Sequence, residues 1–278
     1  MPEQDTPTST PGATAPDSPA AGTATDPILR IEGITKRFGG ITALQGVDLT
    51  VDSGITGLIG PNGAGKTTLF NCLTGFHKPD EGRVRLYDAD ITGEEPPTVA
   101  QQGMVRTFQI PRELAEMTVF ENLLLAPMNQ RGERLRGAWA RGDRFVEEER
   151  SIRERARETA AFFEIDHLLD EPAGSLSGGQ RKLLEIARAL LTDPDIVLLD
   201  EPLAGVNPTL ERKILGRIEE LVADGYSFLL IEHDIDLIMD NCERVVVMHQ
   251  GEVLTTGPPE AVQSDERVIE AYLGGDDV

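Results

Sequence analysis

Along this chain, short wholly apolar runs alternate with turns rich in glycine. The longest such runs, Ile196–Leu199, Phe228–Ile231 and Val245–Met248, have the length of buried strands. Ile28–Ile31, Leu49–Val51 and Arg83–Tyr87 alternate apolar with polar positions, as strands of an antiparallel sheet do; Val84 and Leu86 share one face of the last. Ile55–Ile59 reads as a buried strand running into a glycine-rich loop, with a helix beginning near Lys66. From about 110 to 190 the pattern is helical. Ile152, Ala156, Ala160 and Phe163 recur at helical spacing, and Glu149 and Arg153 form a supportive i,i+4 pair. The charged remainder there (Arg150, Arg153, Glu154, Arg155, Arg157, Glu158) reads as a solvated face. Ser177–Gly179 opens a further helix carrying Leu183, Ile186, Ala187 and Leu190, which ends before Asp193–Pro194. Another helix runs from Pro208 to about Ala223, between the apolar strands 196–199 and 228–231. Strand, helix and strand in that order predict an α/β fold whose sheet is mostly parallel, with crossover helices. No internal repeat interrupts it.

Composition changes the picture at the N-terminus and at the surface. Residues 1–27 hold six Pro, six Thr, five Ala, four acids and no base, without periodicity, and are expected to form a disordered tail. The rest, 28–278, is expected to form one domain. No apolar run approaches the ~18 residues of a membrane-spanning helix. No basic region followed by an apolar one opens the chain, so no secretory signal is predicted. Cys72 and Cys242 make neither a disulfide framework nor a zinc site and read as small buried apolar side chains. The net charge is −22, from 48 acids and 26 bases, of which only Lys36, Lys66, Lys78, Lys182 and Lys213 are lysines. Such a surface repels nucleic acid and anionic headgroups, so no nucleic-acid partner is expected. Repulsion of this size is tolerable where salt screens it, which points to a salt-rich cytoplasm.

The candidate chemistry begins at Gly60–Thr68, GPNGAGKTT, which satisfies GxxxxGK[ST] between a strand and a helix. Its glycines (Gly60, Gly63, Gly65), with Pro61, Asn62 and Ala64, let backbone N–H groups converge on phosphate oxygens. The helix N-terminus adds a partial positive charge of about half an elementary charge. Lys66 can reach the β- and γ-phosphates, the Thr67 hydroxyl that completes the motif can ligate Mg²⁺, and Thr68 follows as a further candidate. The strand IVLLD then ends in two carboxylates. Asp200 is placed to hold Mg²⁺ through water, and Glu201 to polarise an attacking water as general base. On their own the two would also suit a surface turn. LSGGQ at Leu176–Gln180 is a second anion-binding surface: Ser177 can cap the following helix, while Gly178, Gly179 and Gln180 line its N-terminus. A phosphate loop needs no second cradle within its own fold.

The ordered set GPNGAGKTT, Gln109, LSGGQ, VLLDEP and His233 resembles the ATP-binding subunit of ABC transporters, from about Ile28 to Gly274. The resemblance implies a P-loop NTPase core with an antiparallel β subdomain and an α-helical signature subdomain at about 110–190. It implies two such subunits packed head to tail, as homodimer or heterodimer, each ATP lying between one phosphate loop and the partner's LSGGQ. Phe38, in KRFGG, would stack on adenine where the family often has Tyr; a core Phe is the alternative. Gln109, in RTFQIP, would sense Mg²⁺ and the attacking water, and its loop would adjoin the permease. His233, in LLIEHD, would contact the γ-phosphate. Asn207 stands where the family usually carries Asp.

Within that family, KRFGGITAL, NGAGKTTLFNCLTGF, MTVFENLLLA, EPLAGVNP, IEHDIDLIMDNCERVVVMHQG and VIEAYLG look like the branched-chain amino-acid uptake subfamily, as does the helical segment around Leu135–Phe163. The plain LSGGQ departs from the variant signature that the subfamily often has, and importers of urea or other amide-like solutes share much of the pattern. The resemblance implies an ATPase subunit peripheral on the inner face of the cell membrane. Its partners would be transmembrane permease subunits and, indirectly, a solute-binding protein. A soluble ABC ATPase acting on nucleic acid or ribosomes is the competing expectation. It would call for two cassettes or a long inserted arm and a basic surface.

Overall fold

The structure is a computed structural model and describes residues 26–107, 114–127 and 143–273. Of the expected tail, residues 1–25 lie outside the described residues, as do Gln109 and the start of the Leu135–Phe163 segment.

The chain begins with two long antiparallel strands, β1 (Leu29–Phe38) and β2 (Ile41–Val51), and continues through β3 (Ile55–Ile59) into α1 (Lys66–Leu73). Then follow β4 (Glu81–Leu86), β5 (Ala89–Asp90), α2 (Pro96–Gln101) and β6 (Met104–Arg106). The helices α3 (Val119–Leu124), α4 (Asp143–Phe162) and α5 (Gly178–Leu190) come next. The chain returns to sheet with β7 (Ile196–Asp200), α6 (Pro208–Ala223), β8 (Ser227–Ile231), α7 (Ile235–Asn241), β9 (Arg244–His249) and β10 (Glu252–Gly257), and ends in α8 (Pro259–Gln263) and α9 (Glu266–Leu273).

Among the described residues the strands form two sheets. β2-β1-β4-β5 is antiparallel throughout, and β10-β9-β3-β8-β7-β6 is parallel except for the β9–β10 edge. In the larger sheet alternate residues face two different cores. Val197, Leu199, Phe228, Leu230, Val245 and Val247 join a cluster with the helices α5 and α6, while Ile196, Leu198, Leu229, Ile231, Val246 and Met248 join one with α1 and the antiparallel sheet. Covering both faces is why these strands read as unbroken apolar runs.

One consequence fixes the site. β3, β8 and β7 lie side by side and parallel, so their C-terminal ends share one edge of the sheet. Open α/β sheets bind ligands at that edge. The same edge carries Gly60 after β3, His233 after β8 and Asp200–Glu201 at the end of β7.

The stretch expected to be helical from about 110 holds, among the described residues, three α-helices and two short 3₁₀ turns, Asp166–Leu168 and Ala173–Ser175. Ala156, Ala160 and Phe163 are buried, and most of the intervening charged residues are exposed. The Glu149–Arg153 pair forms at 2.8 Å. Both cysteines are free and buried, and burial pushes their thiols up to about 11 and about 12, which makes them inert packing groups.

Candidate nucleotide-binding site

The phosphate loop is shaped by what its glycines avoid. A Cβ on Gly60, whose φ is +150°, would lie 2.1 Å from the Met248 carbonyl oxygen, and one on Gly65 would lie 2.8 Å from that of Ala43. Neither position accepts a side chain. Asn62 and Gly63 stand exposed at its tip, Pro61 is half-buried and Ala64 buried. Lys66 opens α1 and folds back, donating from Nζ to the carbonyls of Gly60 at 2.6 Å and Pro61 at 3.2 Å. It is 6% exposed, and burial holds its pKa below the ordinary lysine value against the opposing pull of Glu201 and Asp200. Thr67, next on the helix, is exposed and Thr68 half-buried. Phe38, at the end of β1, is 43% exposed and so lies outside the core. Its ring meets the edge of His77 at 5.2 Å, with Lys36 Nζ 5.5 Å from its centroid. A ring presented in this way can stack.

Across the edge lie the two carboxylates. Asp200 closes β7, nearly buried, with Oδ2 2.5 Å from an Arg106 guanidinium nitrogen. Glu201 has φ +50°, a left-handed conformation uncommon outside glycine. Two contacts hold it there: its N–H donates to the Ile231 carbonyl at 3.0 Å, and Lys182 Nζ donates to its carbonyl at 2.6 Å. The turn thereby aims the side chain away from the line of the strand, and His233 Nε2 meets Glu201 Oε1 at 2.5 Å. Behind them Glu232, buried, accepts the Leu203 N–H at 2.8 Å, and its burial raises its pKa. Burial likewise lowers that of Lys182, opposed first by Glu232. Chemically, the arrangement offers a carboxylate and an imidazole within proton-transfer distance beside a phosphate cradle.

The signature segment starts α5. Ser177 caps α5, its Oγ accepting the Gln180 N–H at 3.3 Å while Gln180 Oε1 accepts the Ser177 N–H at 2.9 Å. Gly178 faces open space, whereas a Cβ on Gly179 would lie 2.0 Å from Leu210 Cδ2 in the first turn of α6. Among the described residues no hydrogen bond or ion pair joins 177–180 to the phosphate loop. Asn207 caps α6 with Oδ1 accepting from the N–H groups of Thr209 and Leu210 at 3.1 and 3.0 Å, as Asp would.

The structure thus gathers Gly60–Thr68, Asp200, Glu201 and His233 along one edge, while Ser177–Gln180 start α5 with bonds to each other and not to the phosphate loop; Gln109 is outside the described residues. It also adds Arg106, Lys182 and Glu232, which sequence reasoning missed. The signal for Glu232 was present: like Asp200 and Glu201, it is an acid set directly against a wholly apolar strand.

The family described as ABC transporter matches residues 44–204, more than half of the chain, and one described as branched-chain amino acid ATP-binding cassette transporter matches residues 252–278. A probable branched-chain amino acid transport ATP-binding protein, LivG, of Archaeoglobus fulgidus is 44% identical over 251 residues, covering 90% of this chain and 96% of its own. The structure of an ATP-binding cassette of an ABC transporter in its ADP conformation superposes with a TM-score of 0.76 at 41% identity, covering 90% of this chain and all of that one. A dimeric ATP-binding cassette in a post-hydrolysis state, bound to ADP and Pi, has a TM-score of 0.68 at 26% identity, covering 83% of this chain and 98% of its own. The likeness extends across the P-loop core and the C-terminal helices alike, and the chain belongs to the ABC transporter family of ATP-binding cassettes, which are ATPases.

Proposed function

We propose that the chain is the ATP-hydrolysing subunit of an importer of branched-chain amino acids, working as a head-to-tail dimer on the inner face of the membrane. The observation that carries the cargo is the joint likeness of body and C-terminus to branched-chain amino acid transport cassettes. No helix among the described residues is long and apolar enough to cross a membrane, so in this reading permease subunits supply the path and a solute-binding protein selects the cargo. The head-to-tail pairing is supported by the exposed α5 N-terminus, which has no partner group within its own chain's phosphate loop, and by the dimeric cassette among the similar structures.

The residues suit Mg²⁺ arriving with nucleotide. Among the described residues no cluster of three or more His, Cys, Asp or Glu could hold a metal alone. Asp200 and the Thr67 hydroxyl instead offer hard oxygen donors at the cradle, and Mg²⁺ commonly takes one or two carboxylates plus substrate phosphates. Bound there, the ion would neutralise charge developing on the β- and γ-phosphates. In this mechanism Lys66 leaves the Gly60 and Pro61 carbonyls to bind phosphate, and Phe38 stacks on adenine. Glu201 takes a proton from water as the water oxygen bonds to the γ-phosphorus and the bond from that phosphorus to the bridging oxygen breaks, releasing ADP. His233 holds the Glu201 carboxylate and the γ-phosphate in register, and Gln109 senses Mg²⁺ and the attacking water. The partner's Ser177-type signature surface closes over the phosphates.

The test is transport. Reconstituted with permease subunits and a solute-binding protein, the wild-type chain should drive ATP-dependent uptake of labelled leucine into vesicles, and Glu201→Gln should lower ATP turnover by about 10²–10⁴ while still binding ATP. Uptake of urea in place of leucine would overturn the cargo. Near-normal turnover in Glu201→Gln would move the base elsewhere.

A further inference from the structure

Arg106 occupies the same sheet edge as the site, at the end of β6 and one strand beyond Asp200. One guanidinium nitrogen lies 2.5 Å from Asp200 Oδ2, and the other donates to Asn71 Oδ1 at 2.6 Å. Both the arginine and the aspartate side chains are about nineteen-twentieths buried, at 6% and 5% exposure. The guanidinium also stands 5.5 Å from the centroid of Phe70. Asn71 and Phe70 belong to α1, the helix that opens with Lys66 and Thr67. A single planar group therefore ties together three elements: the β6 edge, the end of β7 that bears Asp200, and the helix that bears Thr67.

The chemistry of arginine matters here. Its nitrogens are fixed in one rigid fork, so two acceptors held by it are held at a set separation and orientation. A lysine ammonium is a point charge on a flexible stem and imposes no such geometry. Contact with Oδ2 fixes the rotation of the Asp200 carboxylate, and the anchor on Asn71 fixes where that carboxylate sits relative to α1.

We infer that Arg106 is a positioning residue for the metal: it orients the Asp200 carboxylate relative to Thr67 so that both can serve one Mg²⁺. This rests on the Mg²⁺ reading above. Arg106 touches neither nucleotide nor ion in this scheme and acts through Asp200. Partners that orient a ligating carboxylate typically govern metal affinity by 10–100-fold.

The experiment titrates Mg²⁺ while following binding of a fluorescent ATP analogue, with parallel binding in EDTA and thermal midpoints of the nucleotide-free protein. Wild type should bind more tightly as Mg²⁺ rises; binding indifferent to Mg²⁺ would defeat the metal reading itself, and this inference with it. In Arg106→Ala the Mg²⁺ concentration for half-maximal effect should rise by about 10-fold or more, with affinity in EDTA unchanged. Arg106→Lys should fall between, since an ammonium can pair with Asp200 without spanning to Asn71. Asn71→Ala, which keeps the ion pair, should shift the Mg²⁺ midpoint in the same direction by less, and it carries the test if Arg106→Ala does not fold. An unchanged or lowered Mg²⁺ midpoint would overturn the inference, as would an equal loss with and without Mg²⁺, which is the mark of a general structural role.

Discussion

Gly178 and Gly179 are neighbours in the signature turn, yet the structure gives them different tasks. A methyl on Gly178 meets nothing within 4 Å, while one on Gly179 lands 2.0 Å from Leu210 Cδ2. Within a helix alanine is favoured over glycine by about 0.8–1.0 kcal/mol. Gly178→Ala should therefore keep the thermal midpoint or raise it, and Gly179→Ala should lower it as Leu210 is displaced, at a cost of about 1–3 kcal/mol. Both should lose ATPase activity if a partner's nucleotide covers this surface. Full activity in Gly178→Ala would show that the face is unused. Glu232 gives the pH-dependent counterpart. Burial raises its folded pKa above the unfolded carboxylate value, so its contribution to stability is present at low pH and is lost as pH rises through the raised value. Above that value the protein holds a buried charge. Glu232→Gln removes the charge and keeps an oxygen to accept the Leu203 N–H. The midpoint difference, variant minus wild type, should thus grow more positive from pH 5 to pH 8 in a series of melts. A difference independent of pH would show that Lys182 compensates the charge in full.

At the scale of elements, the sequence reveals what is buried on both faces and hides what is bent or short. β3, β7, β8 and β9 stand out because covering helices on one side and the antiparallel sheet on the other exclude polar side chains from them. The capped starts of α5 and α6 are legible for a local reason, since Ser177 and Asn207 make their bonds within three residues. β1 is legible only over its first residues. Its pairing with β2 shifts register between Ile31 and Ile34, again before Lys36 and again before Arg37, so the alternation breaks while the strand continues. Arg83–Tyr87 is found as Glu81–Leu86, with Tyr87 in a left-handed turn beyond it. β6 is three residues long, below what periodicity can register, and with it went Arg106. The site divides in the same way. Phosphate loop and carboxylate pair are contiguous in sequence and could be read there, whereas Arg106 reaches Asp200 across 94 residues, Lys182 reaches Glu201 across 19, and Glu232 is tied across 29 to Leu203, just beyond the pair.

For the whole molecule, charge and symmetry each make a demand. The chain carries −22 and keeps −18 without the four acids of residues 1–27. Screening shortens from about 10 Å at 0.1 M salt to about 3 Å at 1 M. The thermal midpoint should therefore climb between those concentrations of KCl, and a flat curve would remove the case for adaptation to salt. Symmetry concerns the dimer. Lys66→Ala disables a chain's phosphate loop, and Ser177→Arg fills its signature surface with a bulky cation. In a head-to-tail homodimer each variant alone should be inactive, because every site contains one ruined half. Mixing changes the arithmetic. A mixed dimer has one site with both defects and one that joins an intact loop to an intact signature. With free exchange and independent sites, half the dimers are mixed and each has one good site of two, so an equal mixture should recover about a quarter of wild-type ATPase activity. Coupling between the sites would lower that fraction without restoring either parent. Substantial turnover by one variant alone, at concentrations where wild type dimerises, would mean that each chain completes its own site and that the exposed N-terminus of α5 serves some other contact.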